Sequence, residues 1–408
     1  MYTKEYFDYM LERRGTKSSQ WDGCNAKFGE DPSVEMLPMW VADMDFRVPQ
    51  EIRECLHRRV DTQAYGYRIQ DPAFFEAIVN WQKKRHNWNV KCDWITFVPG
   101  AIQGFIYAIR SCTAEGDGII VQSPGYSPFA EGTELNSRKV VYNQLTEVDG
   151  RWKIDFEDLE KKVKDPKNKL LLLCNPHNPV GRAWSKPELE KLGRLCLENE
   201  VVVVSDELHS DLIIDKTKKH QVMAAVSEEI LQNTITVNAP SKTFNLAGLQ
   251  TAYTIIANET LRKKYRESVA ADRIYNNMNW FGPDVLCTAY NQCEQYVDAL
   301  CDYIGQNMDY MGEFLKENLP AVKWKKPEAT YMAWVDFRGT GMSAEEIENC
   351  IVKKAHIGAE LGTWFGPGGI GFIRFNLACP HKKLEQAMKQ LKQACVEMTN
   401  ERRRTWMF

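Results

Sequence analysis

Residues 170–182 read LLLLCNPHNPVGR, an apolar run that passes directly into two Asn-Pro steps. A short apolar run bounded by proline is typical of a buried strand that ends at a turn of fixed shape. The pattern predicts a strand over 170–174, with Asn175 and Asn178 in the loop at its carboxyl end. Two Asn-Pro steps after an apolar strand are rare by chance, which makes this stretch the most specific in the chain.

Similar apolar runs lie on both sides of this stretch and are separated by polar turns. They occupy residues 95–98, 119–121, 170–174, 201–205, 234–238 and 253–257. The clearest helical segment between them begins at Ser185, where Glu188 completes a capping box and Pro187 falls in the first turn. Alternating strands and helices predict an α/β fold with a mostly parallel sheet covered by helices on both faces.

The length and the later texture of the chain predict two domains. The chain has 408 residues, whereas single hydrophobic cores stop growing at roughly 250–300 residues. After residue 285 long amphipathic stretches dominate, with short strands expected around 331–336 and 371–376. We therefore predict a large domain over 46–285 and a smaller α+β domain formed by 1–45 and 286–408.

Composition argues against several classes of function. A net charge of −3 with 44% hydrophobic residues gives no basic field for nucleic acid or an anionic membrane. The amino-terminal residues contain no apolar core of a signal peptide, which predicts a cytoplasmic protein. The 12 cysteines are scattered without a CxxC pair and predict free thiols. The seven histidines never fall at HxH or HExxH spacing, so no metal is expected.

Three polar residues follow three of the apolar runs and could carry chemistry together. Lys242 comes after the run at 234–238, where burial would remove its proton and leave an amine able to form an imine. Asp206 follows the run at 201–205, where a carboxylate can keep a pyridine nitrogen protonated. Asn178 can donate to a phenolate oxygen. Taken singly, Lys242 reads as a surface lysine and Asp206 as a helix cap.

Two further segments suit a planar, phosphorylated ligand. Gly100, Ala101 and Ile102 lie between a strand and an apparent helix, so their backbone amides could receive a phosphate; a plain joint between loop and helix is the alternative. Tyr126 follows the next strand and could stack on a flat ring or belong to the core.

The ordered set resembles the fold-type I, aspartate-aminotransferase superfamily of pyridoxal-phosphate enzymes. The set comprises the glycine turn, Tyr126, NPxNPxG at 175–181, Asp206, Ser241-Lys242 and Arg374 in GFIRFN at 371–376. The resemblance implies these roles: Lys242 as the Schiff-base lysine, Asp206 on the pyridine nitrogen, Asn178 on the phenolate, Tyr126 as the stacking ring, Gly100, Ala101 and Ile102 as the phosphate cup, and Arg374 as the clamp on the substrate α-carboxylate.

Several segments are more narrowly similar to the MalY/PatB group of cystathionine β-lyases, also called cysteine-S-conjugate β-lyases. They are RGT at 14–16, WD at 21–22, PMWVADMDF at 38–46, YGY at 65–67, DELHSD at 206–211, PEATY at 327–331 and NLACP at 376–380. The resemblance implies that Val41, Asn178 and Arg374 contact the substrate.

Two positions depart from the aspartate aminotransferases. His209 stands where they have a tyrosine, as in the β-lyase group, and Gln250 stands where they have an arginine that pairs with the phosphate. By resemblance His209 also binds the cofactor, and the phosphate relies on backbone amides, on Ser241 and on Tyr67 from a second subunit. A homodimer is therefore expected.

The expected reaction is α,β-elimination of L-cystathionine or of cysteine S-conjugates to thiol, pyruvate and ammonia. Lys242 would be the general base, and Tyr126 or Tyr67 would protonate the leaving sulfur. An aminotransferase is the first alternative, disfavoured by His209 and PMWVADMDF; a regulatory binding protein on the same fold is the second. Trp334 and Trp364-Phe365 could line the substrate pocket or belong to the core. His356 and Glu360 could belong to a mobile loop near the site.

Overall fold

The computed structural model describes residues 2–29, 31, 33–274 and 278–405. The strands are β1 (Leu37–Pro38), β2 (Ile95–Val98), β3 (Gly118–Ser123), β4 (Lys139–Gln144), β5 (Thr146–Val148), β6 (Arg151–Lys153), β7 (Asn168–Cys174), β8 (Val202–Asp206), β9 (Thr234–Asn238), β10 (Ala252–Ile255), β11 (Met332–Asp336), β12 (Ile357–Gly358), β13 (Glu360–Leu361) and β14 (Phe372–Asn376). The α-helices are α1 (Lys4–Asp8), α2 (Asp22–Phe28), α3 (Gln50–Val60), α4 (Pro72–His86), α5 (Ala101–Cys112), α6 (Ser127–Leu135), α7 (Phe156–Val163), α8 (Lys186–Glu198), α9 (Glu228–Gln232), α10 (Glu259–Ala271), α11 (Gly282–Gln292), α12 (Glu294–Asn318), α13 (Ala344–Glu348) and α14 (His381–Thr405).

A seven-stranded sheet forms the centre of the fold, in the order β2-β10-β9-β8-β7-β3-β4. In this sheet the pairs β4-β3, β3-β7, β7-β8 and β8-β9 are parallel. Strand β10 runs antiparallel to both of its neighbours, β9 and β2. The prediction of a mostly parallel α/β sheet is confirmed, and a strand is present at each of the six predicted runs. All residues of β2, β3, β9 and β10 are buried, as expected for strands covered on both faces.

The sequence did not reveal the edge strand β4. Its residues, KVVYNQ, mix apolar and polar side chains, and only Asn143 is fully buried. β4 has one strand neighbour and is partly open to solvent, unlike β2 at the other edge of the sheet, so β4 lacks the continuous apolar run that marks the buried strands.

Helix α8 shows how the sequence positions a covering helix. The predicted capping box is present: Ser185 and Glu188 satisfy each other's backbone amides at the first turn. Its buried residues are Leu189, Leu192, Gly193 and Cys196, at the spacing of one helical face. That face packs towards β8 and α9, so α8 covers the sheet beside the strand that ends at Asp206.

A smaller three-stranded antiparallel sheet, β11-β14-β13, lies later in the chain, where short strands were expected. A separate two-residue pair joins β1 to β12. One hydrophobic cluster includes Phe97, Leu286 and Leu384 and so draws on both sequence-predicted domains. The domain division after residues 45 and 285 stays a prediction.

The longest helices, α12 and α14, have 25 residues each and are amphipathic, with polar residues on one face. Within the described ranges, no helix is both long enough and apolar enough to cross a membrane.

Candidate active site

The polar residues predicted to share one edge of the sheet do so. Asp206 is the last residue of β8, and its strand neighbour on β7 is Cys174, the residue before Asn175. Lys242 lies four residues beyond the end of β9, which flanks β8 on the other side. Carboxyl ends of parallel strands converge at such an edge, which is where α/β proteins bind ligands.

Asp206 is a buried carboxylate without an ion-pair partner among the described residues. The side chain accepts a hydrogen bond from the Leu208 amide, 3.1 Å from Oδ1. Burial raises the pKa of Asp206 to about 7, and the charge of Lys242 opposes that shift. A carboxyl group that is poised near neutrality and unpaired can share a proton with a ring nitrogen placed beside it.

Lys242 is held by a backbone carbonyl and not by a carboxylate. Its Nζ donates to the carbonyl oxygen of Ala42 at 3.0 Å, and the Tyr331 hydroxyl donates to the same oxygen at 2.8 Å. Burial lowers the pKa of Lys242, while the negative charge of Asp43 is the strongest opposing influence. A lowered pKa favours the unprotonated amine that imine formation needs.

The segment PMWVADMDF, residues 38–46, supplies the Ala42 carbonyl to which Lys242 donates. Val41 has φ of 42°, a left-handed conformation that is rare for a β-branched residue. Asn376 holds this turn in place: its amide donates to the carbonyl oxygens of Val41 at 2.7 Å and of Asp43 at 2.6 Å. The contact of Val41 with substrate stays a prediction, and the turn at Val41 fixes the Ala42 carbonyl that orients Lys242.

Arg374 lies in the middle of β14 and reaches Asn178 from the opposite side of the site. Its Nη1 donates to Asn178 Oδ1 at 2.7 Å, its Nη2 pairs with the carboxylate of Glu360, and its guanidinium lies 4.9 Å from the ring centre of Phe365. The structure therefore brings Arg374 and Asn178 together, and the Asn178 amide nitrogen remains available to a ligand.

His209 and Tyr126 keep neutral side chains beside these charges. Burial lowers the pKa of His209 to about 3, helped by the positive charges of Lys242 and Arg374, so its imidazole is uncharged at neutral pH. Burial, together with the charge of Asp206, raises the pKa of Tyr126 above its usual value. Tyr126 thus stays a protonated phenol within electrostatic reach of Asp206.

The predicted phosphate cup is an open helix terminus. Gly100 precedes α5, and no side chain caps the first amides of that helix. A β-carbon on Gly100 would come within 2.6 Å of Gln103 Oε1, so this glycine packs closely against the side chain of the third helical residue. Ala101 and Ile102 are the first helical residues, and Ser241 lies immediately before Lys242. Helix amides without a cap suit an anion such as phosphate.

Tyr67 does not reach the site of its own subunit. Its side chain is 98% exposed, and a residue so open to solvent cannot line a buried pocket in the same chain. The expectation that Tyr67 serves a second subunit stays a prediction.

The sequence missed the residues that orient the predicted ones. Tyr331 and Asn376 hold the turn that carries the Ala42 carbonyl. Glu360 was expected in a mobile loop near the site; it does lie at the site, in contact with Arg374, but it belongs to strand β13 of the small sheet. Trp334 is buried in an aromatic cluster, in line with the core alternative, whereas Phe365, which is also buried, packs against the guanidinium of Arg374 at the site.

The chemistry of this donor set fits pyridoxal phosphate. An unpaired buried carboxylate, a lysine of lowered pKa, a free amide nitrogen and an uncapped helix terminus lie along one sheet edge. They match the ring nitrogen, the aldehyde, the phenolate oxygen and the phosphate of that cofactor.

The chain belongs to the class I and II aminotransferase family, whose model matches residues 40–391. It is 42% identical to cystathionine beta-lyase PatB of Bacillus subtilis, over 95% of this chain and 99% of that protein. A pyridoxal-phosphate-bound protein from Clostridium difficile 630, named as a candidate aminotransferase, has a TM-score of 0.92 at 40% identity and covers 95% of this chain and 99% of its own. The pyridoxal-phosphate-bound C-S lyase of Staphylococcus hominis has a TM-score of 0.87 at 31% identity, with coverage of 96% and 98%.

These comparisons confirm the predicted family, the aspartate-aminotransferase-like fold and pyridoxal phosphate as the cofactor.

Proposed function

We propose that this protein is a pyridoxal-phosphate-dependent carbon–sulfur β-lyase, which converts L-cystathionine or a cysteine S-conjugate into thiol, pyruvate and ammonia. The observation that carries the proposal is the set of Lys242, Asp206 and Asn178 at one edge of the seven-stranded sheet, with Arg374 of β14 in contact with Asn178, in a chain 42% identical to a cystathionine β-lyase over almost its full length. The C-S lyase among the structural relatives supports the same reaction over transamination.

Pyridoxal phosphate, when bound, supplies an electron-accepting ring that stabilises negative charge on the substrate α-carbon. Asp206 is the group that keeps a proton on the ring nitrogen. Arg374 binds the substrate α-carboxylate through its two terminal nitrogens. Lys242 Nζ, which donates to the Ala42 carbonyl, is the base that takes the α-proton, and burial favours its unprotonated form by lowering its pKa.

Departure of the sulfur needs a proton donor, and Tyr126 is the candidate in this chain. Its raised pKa keeps the phenol protonated, so it has a proton to give to a leaving thiolate. Tyr126→Phe is expected to slow substrates with basic leaving thiols more than those with acidic ones. Equal slowing of both would reject this role for Tyr126.

The distinguishing experiment is an assay of L-cystathionine with the purified holoenzyme and no keto-acid acceptor, following pyruvate and free thiol. Steady release of both establishes the lyase. Turnover that starts only after a keto acid is added would show that the protein is an aminotransferase. The Lys242→Ala variant controls for pyruvate formed by free cofactor.

We propose further that the protein is a homodimer in which Tyr67 completes the phosphate site of its partner. The segment carries exposed large side chains at Tyr65, Tyr67 and Ile69, which are 50%, 98% and 83% exposed. Such a patch is typical of a contact surface. We also propose that the substrate is a small molecule and that the protein is located in the cytoplasm.

Mixing two inactive variants tests the shared site. Lys242→Ala and Tyr67→Ala homodimers should each be nearly inactive. After the subunits exchange, mixed dimers hold one intact site each, so about a quarter of the wild-type activity is expected. No recovery despite proven exchange would mean that Tyr67 acts within its own chain, and a Tyr67→Ala homodimer that keeps its activity would mean that Tyr67 has no role at the site.

A further inference from the structure

Asp211, the last residue of DELHSD, is a buried carboxylate to which no role has been assigned so far. It lies in the turn after β8, five residues beyond Asp206, and is 6% exposed. Its Oδ2 accepts hydrogen bonds from the Thr243 hydroxyl at 2.9 Å and from the Trp81 indole nitrogen at 3.3 Å. Its Oδ1 lies 3.1 Å from His86 Nε2. Contacts on both oxygens fix the direction of this carboxylate.

Helix α4 supplies two of these partners and holds them firmly. Trp81 is buried and stacks on Tyr290, with the ring centres 4.6 Å apart. His86 is the last residue of the helix, and its side chain is buried. Burial opposes ionisation of Asp211, but His86 and Arg85 outweigh burial and lower the pKa of Asp211 below its ordinary value. Asp211 is therefore an ionised acceptor in a fixed position.

Thr243 connects this acceptor to the reaction centre, because it is the residue that follows Lys242. Both residues lie in the turn at 240–245, and the Thr243 side chain is buried. Lys242 Nζ donates to the Ala42 carbonyl, whereas the Thr243 hydroxyl donates to Asp211. Two consecutive residues of the turn are thus anchored to different parts of the chain, so the turn cannot rotate without loss of one of these contacts.

We propose that Asp211 is a positioning residue for the reaction: through the Thr243 hydroxyl it fixes the turn that carries Lys242, and so directs the Lys242 amine at the substrate α-carbon. Lysine has a long and flexible side chain, so its amine keeps one direction only where its backbone is held as well. A base displaced by about 1 Å loses much of its rate. This inference rests on the proposed role of Lys242 as the base and extends it by naming what holds that base in place.

Exchange of the α-hydrogen measures the base without any elimination. L-Alanine deuterated at the α-carbon has no leaving group, so its loss of deuterium to water reports proton transfer alone. Thr243→Val removes the hydroxyl at nearly constant size, and the exchange rate of its holoenzyme at saturating L-alanine should fall about tenfold. The L-alanine concentration for half-maximal exchange should change by less than about twofold, because Arg374 is untouched. Mass spectrometry follows deuterium loss, and Lys242→Ala controls for exchange by free cofactor.

Matched variants separate positioning from a merely structural role. Asp211→Asn should slow exchange in the wild-type background and add nothing to Thr243→Val, because Asp211 acts through that hydroxyl. Thr243→Ser keeps the hydroxyl and should retain most of the wild-type rate. Thr236→Val is the control and should leave the rate unchanged: the Thr236 hydroxyl in β9 is buried and has no hydrogen-bond partner among the described residues.

An unchanged exchange rate in Thr243→Val would overturn the proposal, and so would losses that multiply in the double variant. If Thr243→Val folds poorly, Asp211→Asn alone tests the same contact, since it removes the charge and keeps the shape of the side chain. A wild-type exchange rate in Asp211→Asn would then reject the positioning role.

Circular dichroism of the bound cofactor gives a readout that does not depend on turnover. Pyridoxal phosphate is itself a flat and achiral ring, so its visible dichroism comes from the way the protein holds it. Thr243→Val and Asp211→Asn should alter the ratio of dichroism to absorbance, and Thr236→Val should not. A lower melting temperature with the wild-type ratio would mean that the contact serves stability alone, and the positioning role would be rejected.

The positioning proposal and the lyase proposal fail in different ways. If the wild type exchanges deuterium but releases no pyruvate from L-cystathionine without a keto acid, the lyase proposal fails, and the exchange rates of the variants still decide the role of Asp211. If pyruvate is released and the variants exchange deuterium at the wild-type rate, the lyase proposal stands and the role of Asp211 is rejected.

Discussion

The two sides of the site differ in whether their charged groups have ion-pair partners. The strand-end group (Asn178, Asp206, Lys242) contains an acid and a base without close ion-pair partners in the described structure, and burial moves their pKa values towards neutrality: up for Asp206, down for Lys242. The clamp pair (Arg374, Glu360) contains a cation and an anion in direct contact. Burial without a partner makes a group reactive, whereas pairing keeps it charged and fixed in direction.

This difference assigns separate tasks to the two sides. In the strand-end group, burial brings the pKa of Asp206 to about 7 and lowers the pKa of Lys242, which suits the proton transfers of the chemical step. The clamp pair is held in one geometry by the pairing of β13 with β14, which suits recognition of the substrate carboxylate. Substitutions in the first should reduce turnover, and those in the second should change substrate affinity.

The largest effect is expected from Lys242→Ala, which removes the base. Pyruvate release should fall by at least about 10³-fold, while L-glutamine should bind within a fewfold of the wild-type affinity because Arg374 is unchanged. Assay and calorimetric titration measure the two quantities. Lys219→Ala, at an exposed position, is the control. Equal loss of binding and turnover would show that Lys242 also contributes to substrate affinity, and the assignment of separate tasks to the two sides would be wrong.

The sequence predicts the strand-end group because its signals are local. Each residue follows an apolar run, and strand ends in a parallel sheet meet at one edge. Ala42 illustrates what the sequence hides: its carbonyl reaches Lys242 across 200 residues of chain, through the left-handed turn at Val41. Such a contact depends on tertiary packing and leaves no periodic pattern.

The clamp pair was only half predictable. The family motif marks Arg374, but its partner is set by the register of β13, a strand of two residues. A strand so short shows no alternation of apolar and polar residues. The half-exposed edge strand β4 escaped prediction for a related reason, whereas the buried inner strands did not.

An intermediate effect is expected from Arg374→Lys, which keeps the charge and loses the two-pronged geometry. KM for the neutral S-(2-hydroxyethyl)-L-cysteine should rise roughly 10- to 100-fold, with a much smaller change in kcat. Steady-state kinetics over a range of substrate concentrations separates the two constants. Arg194→Lys, on the exposed face of α8, serves as the control. A fall in kcat at constant KM would place Arg374 with the strand-end group.

The smallest effect concerns the stability of the protein stripped of cofactor. The folded-state pKa of Asp206 is about 7, against about 4 in an unfolded chain. The folded form therefore binds the proton more tightly, and the stability that this contributes at low pH is lost as the pH rises from about 4 through 7. Asp206→Asn lacks this titration.

The melting temperature of Asp206→Asn should thus rise above that of the wild type by a few degrees at pH 8 (about 2–4 °C per kcal/mol in somewhat smaller proteins), and by much less at pH 5. Scanning calorimetry of both apoproteins at the two pH values measures the difference. Bases with lowered pKa, such as His209, are present in both proteins and cancel. Asp61→Asn, at an exposed position, should show no such trend. A difference in melting temperature that does not depend on pH would mean that Asp206 is ionised in the folded apoprotein and that its charge is balanced by a neighbouring group. Asp206 would then resemble the paired carboxylate of the clamp pair.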